Sequence, residues 1–187
     1  MGVKFREKRT LLNEEEMQWA LQRIAHELIE HNSRLKEICI IGIRKRGDIL
    51  AKRIAEILGE LTSWDIKVGV LDITLYRDDL TTYGPKPIIG STYFPCNIDN
   101  LNVLLVDDVI YTGRTIRAAL DEIIDYGRPS AIRLATMVTR SGRELPIMPD
   151  YSGTSVNLLE GEEVQVFLSE IDGQDSVKII EVSTNDE

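Results

Sequence analysis

The apolar positions of this chain alternate between two spacings, and the alternation predicts most of its elements. Met17, Leu21, Ile24, Leu28 and Ile29 recur at helical spacing, giving a helix with one apolar face that runs to about His31. Asn13, with Glu16 three positions later, supplies a variant of the capping box at its start. Residues 37–43 (EICIIGI) are a nearly continuous apolar run, as expected of a buried strand. Ile49, Leu50, Ile54, Ile57 and Leu58 return to helical spacing across residues 48–58. Residues 66–75 read as a strand. Residues 76–91 are rich in Asp, Thr, Gly and Pro and read as a long exposed hairpin loop, with a return strand over 91–94. Loops of that length often serve as lids.

Residues 102–120, NVLLVDDVIYTGRTIRAAL, carry the most information. Val103, Leu104, Leu105 and Val106 fit a strand covered on both faces of a parallel sheet. Asp107 and Asp108 follow at its carboxyl end, where open α/β sheets bind their ligands. Tyr111, Thr112, Gly113, Arg114 and Thr115 then lead into an amphipathic helix over 116–126, stopped by Gly127 and Pro129. A loop at a helix N-terminus offers unpaired N–H groups and the positive end of the dipole, both suited to a phosphate. Two carboxylates beside it would repel a bare anion. They make sense if sugar hydroxyls or a magnesium ion lie between them and the phosphate, so the ligand implied is a sugar phosphate. The same acids would also fit a plain helix cap; the whole string is what favours the ligand. Neither G-x-x-x-x-G-K-[ST] nor G-x-G-x-x-G occurs, so the P-loop and the dinucleotide fingerprint do not apply.

Residues 131–138 give a further strand, 141–155 a Gly/Pro-punctuated segment, and 163–168 and 177–182 two late strands. Alternating strands and helices predict an α/β sheet with an accessory lobe from the late segments. No repeat or linker divides residues 1–187, which read as a single domain, and a length of 187 residues allows a substantial core. No apolar stretch is long enough to span a bilayer, and the first residues lack the apolar core of a signal peptide. Cys39 and Cys96 lack metal-ligand spacing, which makes a reducing cytoplasm the default compartment.

Charge changes the picture in one respect. The net charge is −9, but residues 1–53 hold 12 Lys/Arg against 8 Asp/Glu, while residues 54–187 hold 10 against 23. An anion-binding face in the N-terminal part is compatible with an acidic chain. The acidic residues from Glu160 onward read as serving solubility. Within the basic part, Arg44, Lys45, Arg46 and Gly47 occupy a strand-to-helix junction where backbone amides and cations can hold an anion; a solvated basic turn fits the same string.

The run from Val103 to Thr115 resembles the 5-phosphoribosyl-1-pyrophosphate (PRPP) signature of type I phosphoribosyltransferases. Together with RIAHELIE (23–30), LYRDDL (75–80) and RELPI (143–147), it resembles the bifunctional pyrimidine operon regulator / uracil phosphoribosyltransferase family, often called PyrR, over about residues 12–182. The resemblance implies the type I phosphoribosyltransferase fold: a largely parallel, twisted sheet flanked by helices, with a small hood and a flexible hairpin lid. It implies transfer of ribose 5-phosphate from PRPP to uracil, giving UMP and pyrophosphate with Mg²⁺. Asp107 and Asp108 would engage the ribose hydroxyls and assist the metal. Val109, Ile110, Tyr111, Thr112, Gly113, Arg114 and Thr115 would hold the 5-phosphate. Arg44, Lys45, Arg46 and Gly47 would serve the pyrophosphate, largely through their backbone, with Arg77 on the lid. Met137, Val138, Thr139 and Arg140 would meet the uracil edge with backbone groups; Thr139 stands where the family pattern has an acid. The resemblance further implies UMP-promoted binding of a pyr mRNA leader through Arg23, His26 and Arg143, and self-association as a homodimer or higher oligomer. Two alternatives stay open: a regulator that uses the pocket mainly to sense UMP, and an enzyme without an RNA role. The signature itself reads PRPP and not the base, so a transferase for another base also fits it.

Overall fold

The computed structural model describes residues 3–31, 37–73 and 91–184. In chain order the elements are β1 (Val3–Leu12), α1 (Glu14–His31), β2 (Ile38–Ile43), α2 (Gly47–Thr62), β3 (Lys67–Leu71), β4 (Asn102–Ile110), α3 (Arg114–Tyr126), β5 (Ala131–Arg140), β6 (Tyr151–Val156), β7 (Glu162–Phe167), α4 (Ser169–Asp172) and β8 (Ser176–Thr184). Five of the strands form a parallel sheet in the order β3-β2-β4-β5-β6, and three form an antiparallel sheet in the order β1-β8-β7. The chain leaves β2 for the edge strand β3, returns to β4 on the other side of β2, and then builds outward. The direction of building therefore reverses between β2 and β4, and in such sheets a crevice opens there beyond the strand ends.

The capping box forms as the sequence predicts. Asn13 N–H donates to Glu16 Oε2 at 2.8 Å, and Glu16 N–H donates to Asn13 Oδ1 at 2.9 Å. Such a cap stabilises a helix by about 1 kcal/mol. The buried stripe of α1 is Met17, Ala20, Leu21, Ile24, Ala25 and Leu28, with Ile29 at its margin. All six residues of β2 are buried, and Val103 to Asp107 of β4 likewise. Their side chains alternate between two cores. Ile38, Ile40, Leu104 and Val106 pack with α1 and α2, whereas Cys39, Ile41, Ile43, Val103 and Leu105 pack with Ile116, Ala119 and Ile123 of α3. A strand sandwiched in this way needs apolar residues at every position, which explains its uninterrupted runs. Val166, Leu168, Val177 and Ile179 of the antiparallel part join the first of these cores. Cys39 and Cys96 are both free thiols; burial, and then the neighbouring Cys96, push the Cys39 thiol up to about 12.

Several expectations need correcting. The apolar spacing predicts no element over residues 3–12, yet they form β1, whose partner β8 lies at the far end of the chain. The punctuated segment 141–155 contains the start of β6, an edge strand burying only Tyr151 and Val156 at its two ends, so its sequence carries little apolar signal. Residues 91–94 form no strand, only one antiparallel bridge, Val70 to Tyr93. The strand expected over 66–75 is β3 through Leu71, and α2 extends beyond residue 58 to Thr62. Residues 74–90, including the expected lid, lie outside the described residues.

The late acids do more than keep the protein soluble. Arg53 of α2 donates to Glu170 (2.5 Å), to both oxygens of Asp175 (2.7 and 2.9 Å) and to Ser169 Oγ (3.0 Å). Lys8 pairs with the buried Glu162 at 3.0 Å, and Lys178 with Glu7 at 2.9 Å. The charge imbalance along the chain thus resolves into pairs that tie its ends together. Arg53 holds the Glu170 carboxyl below its usual range. At Asp175 burial acts upward, but the Arg53 guanidinium and the Ser169 N–H outweigh it and the net shift is downward. A carboxyl with a lower pKa folded than unfolded binds fewer protons when folded. Its contribution is full above the unfolded value, about 4, and is lost as pH falls through the folded one. Arg53→Met should therefore lower the melting temperature at neutral pH, by a deficit that shrinks below about pH 4 as the acids protonate in both proteins. A deficit constant from neutral to acid pH would contradict this network's role.

Candidate active site

The carboxyl ends of β2, β4 and β5 bring most of the expected site residues to one edge of the sheet. β2 ends at Ile43, and Arg44, Lys45 and Arg46 turn the chain into α2. Arg44 N–H donates to Leu71 O at 2.9 Å, which fixes the loop to the end of β3. Arg46 adopts φ +73°, and Gly47 N–H returns to Lys45 O at 3.0 Å, so the turn is tight. A Cβ at Gly47 would be driven into the carbonyl oxygen of Val106 and would lie 3.0 Å from Asp107 Cα. The basic loop therefore rests directly on β4, beside the acid pair.

β4 is longer than β2. The ladder to β2 ends at Gly42 and Val106, while the ladder to β5 continues to Ile110 and Thr139. Asp107 and Asp108 thus lie within the strand rather than after it, at the stretch where one neighbour has dropped away. Asp107 is 5% exposed. Its Oδ1 accepts from Asp108 N–H at 3.0 Å, and Asp108 Oδ1 accepts from Val109 N–H at 2.9 Å. Each acid is oriented by the next backbone amide. Ile110 is buried in the α3-side core and Val109 packs against the other, so for these two any ligand contact falls to the backbone.

The loop at Tyr111, Thr112 and Gly113 enters α3, with Gly113 at φ +91° as its N-cap. Thr112 Oγ1 accepts from Arg114 N–H at 3.3 Å. The segment after β5 grips this loop from outside: Glu144 and Leu145 N–H donate to Thr112 O at 3.1 and 3.0 Å, and Arg114 Nε pairs with Glu144 Oε2 at 2.9 Å. Tyr111 lies with the Arg140 guanidinium 3.9 Å from its ring centroid. A Cβ at Gly142, which sits at φ +106°, would come 2.5 Å from the same ring. The end of β5 and the loop at the start of α3 are thereby held together.

Of the four residues expected at the base, Met137 and Val138 are buried, with their side chains in the core and Val138 paired to both β4 and β6. Thr139 and Arg140 are half-buried at the strand's end. Thr139 Oγ1 lies 2.8 Å from Ser152 Oγ. Neither Asp172, whose carboxylate takes Arg46 Nη2 at 3.2 Å, nor Ser152 was expected at the site. Asp172 is separated from Arg46 by 126 residues, and an acid in an acidic stretch gives no signal of such a contact.

The residues expected on an RNA face are not equivalent. Arg23 donates to Glu27 at 3.2 Å and to the carbonyls of Ser152 and Gly153 at 3.1 and 2.6 Å, so it fastens α1 to β6. His26 borders a cavity of about 460 Å³ that is also lined by Arg53, Glu14, Glu56, Glu60 and Asp175, so acids outnumber the cation there. Arg143 is exposed, beside the residues that grip the loop at Thr112. Arg77 lies outside the described residues. Among the described residues, no three His, Cys, Asp or Glu side chains are grouped to hold a metal, and no helix is long and apolar enough to cross a membrane.

Comparison with known proteins places this geometry. The model of the phosphoribosyl transferase domain matches residues 9–171. A protein of Pelotomaculum thermopropionicum named bifunctional protein PyrR is 49% identical over 178 residues, covering 95% of this chain and 98% of its own. Its namesake in Bacillus velezensis is 46% identical over 177 residues, covering 94% and 98%. Among solved structures, a hypoxanthine phosphoribosyltransferase of Staphylococcus aureus superposes with a TM-score of 0.69 at 17% identity, covering 94% of this chain and 92% of that one. One of Trypanosoma cruzi gives 0.71 at 14%, covering 93% and 91%. A likeness at such low identity concerns the fold. The family model and the relatives at nearly half identity go further: the chain belongs to the phosphoribosyltransferase domain family, with the bifunctional PyrR proteins as its relatives.

Proposed function

We propose that this chain transfers ribose 5-phosphate from PRPP to N1 of uracil, releasing pyrophosphate, and that it binds a pyr mRNA leader when UMP fills the same pocket. The observation that carries the first part is the juxtaposition across the crevice: an oriented acid pair on β4, a basic loop pressed against it through Gly47, and a Thr/Gly loop at the start of α3. In the reaction, the C1–oxygen bond to pyrophosphate breaks, the N1–C1 bond forms, and N1 gives up its proton. Positive charge grows on the ribose ring while negative charge leaves. The demands are positioning, charge neutralisation at the leaving group and exclusion of water, with no need for a protein nucleophile.

Asp107 and Asp108 hold the ribose hydroxyls in this reading, and their negative charge favours the cationic ring. Tyr111, Thr112, Gly113, Arg114 and Thr115 take the 5-phosphate at the N-terminus of α3. Arg44, Lys45, Arg46 and Gly47 face the pyrophosphate, and Arg77 is assigned to the same group. Thr139 and Arg140 meet the base. The donor set suits magnesium, which prefers hard oxygens and keeps waters and substrate oxygens, so that two carboxylates suffice. When bound, the ion would offset part of the charge on the leaving pyrophosphate.

The RNA reading draws its support from the bifunctional relatives and from Arg143, which stands next to the grip on Thr112. A nucleotide phosphate that fixes the loop also fixes the segment presenting Arg143. If the two sites share this element, UMP and RNA strengthen each other equally. The family's self-association as a dimer or larger assembly is carried over as part of the same proposal.

Two outcomes test these parts separately. Asp107→Asn combined with Asp108→Asn should lower kcat/KM for PRPP by about 100-fold or more, the scale of a lost transition-state charge contact, with an unchanged far-UV circular dichroism spectrum. Near-normal turnover at saturating PRPP and Mg²⁺ would remove the ribose-site assignment. For the regulatory part, Arg143→Ala should weaken a pyr leader stem-loop and flatten its salt dependence, with UMP tightening the wild type. Equal binding by both proteins, or none at low salt, would leave an enzyme alone.

A further inference from the structure

Three hydroxyls, Thr136 and Thr139 of β5 and Ser152 of β6, form a chain next to the strand end assigned to the base. Ser152 Oγ donates to the carbonyl oxygen of Thr154 at 3.0 Å, since a carbonyl can only accept. That bond takes its one proton. The 2.8 Å contact between Ser152 Oγ and Thr139 Oγ1 is then a hydrogen bond only with Thr139 as donor. Thr139's proton is thereby committed toward Ser152, and its oxygen presents lone pairs to any other partner. Thr136 Oγ1, at 3.5 Å, lies at the outer limit of a hydrogen bond and can fill at most one of the two. In the β4–β5 register Asp107 is level with Thr136 and Ile110 with Thr139. A ribose over the acids, with its phosphate on the following loop, sets its base over this end of β5.

We infer that Thr139 selects the base, acting as an acceptor of fixed direction that takes a ring N–H and rejects a ring nitrogen bearing a lone pair. The inference rests on the proposed function, which puts a pyrimidine at this strand end. Uracil offers N3–H to such an acceptor. Cytosine offers the N3 lone pair, so two acceptors face each other and neither is satisfied. Ser152 is a positioning residue in this scheme: it does not touch the base, but it determines which way the Thr139 hydroxyl points. A threonine alone would accept from uracil and donate to cytosine, with little preference.

The test compares UMP and CMP affinities by calorimetry, a readout that does not depend on turnover, in the wild type and in Thr139→Val, Thr139→Ser and Ser152→Ala. The wild type should prefer UMP. Thr139→Val should weaken UMP about tenfold and bring the CMP/UMP ratio of Kd values close to one, and Thr139→Ser should restore both. Ser152→Ala should leave UMP within about threefold while narrowing the ratio, because the freed hydroxyl can turn and donate to cytosine. PRPP affinity should be unaltered throughout. A wild-type preference that survives both Thr139→Val and Ser152→Ala would overturn the inference alone, and Ser152→Ala decides it if the valine variant fails to fold. A wild type that binds neither nucleotide and forms no UMP would instead overturn the functional proposal, and this inference with it.

Discussion

At Gly47 the backbone of the basic loop lies against the carbonyl of Val106 with no room for a side chain, and the rest of the site depends on that approach. The sheet makes it available: β2 and β4 are neighbours, yet the chain builds outward from them in opposite directions, so the loops beyond their ends diverge and leave a crevice. Because β4 runs on past the last β2 pairing, its two acids lie beside that crevice while β5 still supports their strand. In the proposed reading, this approach sets the loop for the pyrophosphate beside the acids for the ribose, as a single small substrate bearing a charged group at each end requires. Moving the loop outward by the width of a methyl group would separate the groups that must act on one bond.

Further contacts hold the crevice in register. The Glu144 and Leu145 amides grip Thr112, and Tyr111 packs between Arg140 and Gly142, so the end of β5 and the loop entering α3 are tied to each other. On the opposite wall, Asp172 of the accessory part steadies Arg46. Its negative charge partly offsets that cation, which makes the loop's geometry as important as its charge. The accessory sheet, joined to the first core through Val166, Leu168, Val177 and Ile179, thus supports the site as well as the fold.

What was legible in the sequence was what local order writes into it. The buried run 103–106, the acid pair and the Thr/Gly loop are contiguous, and each reports a constraint met within a few residues. The capping of α1 by Asn13 and Glu16 is legible for the same reason. β1 and β6 were hidden because strands at or near a sheet edge bury few side chains and take their identity from a distant partner, Val3 from Thr184 and Tyr151 from Ala135. The pairing of Arg46 with Asp172 and of Arg53 with Asp175 was hidden because charge complementarity across more than a hundred residues has no periodicity to detect. On sequence Arg23 reads as a residue for a nucleic-acid partner; in the structure its guanidinium also donates to two carbonyls of β6 and to Glu27. A cation on a helix reads alike in either role until its neighbours are known.

The most direct measurement is the affinity of Mg²⁺–PRPP for Gly47→Ala, with Gly59→Ala as the control. At Gly59 the nearest atom to an added Cβ is 3.6 Å away, an ordinary contact, whereas at Gly47 the methyl would collide with the Val106 carbonyl. If the approach of loop to strand creates the site, Gly47→Ala should weaken PRPP by about tenfold or more while remaining folded, because a charged ligand bound across both walls loses alignment with one of them. Gly59→Ala should bind as the wild type does. Equal affinity in all three proteins would contradict the account.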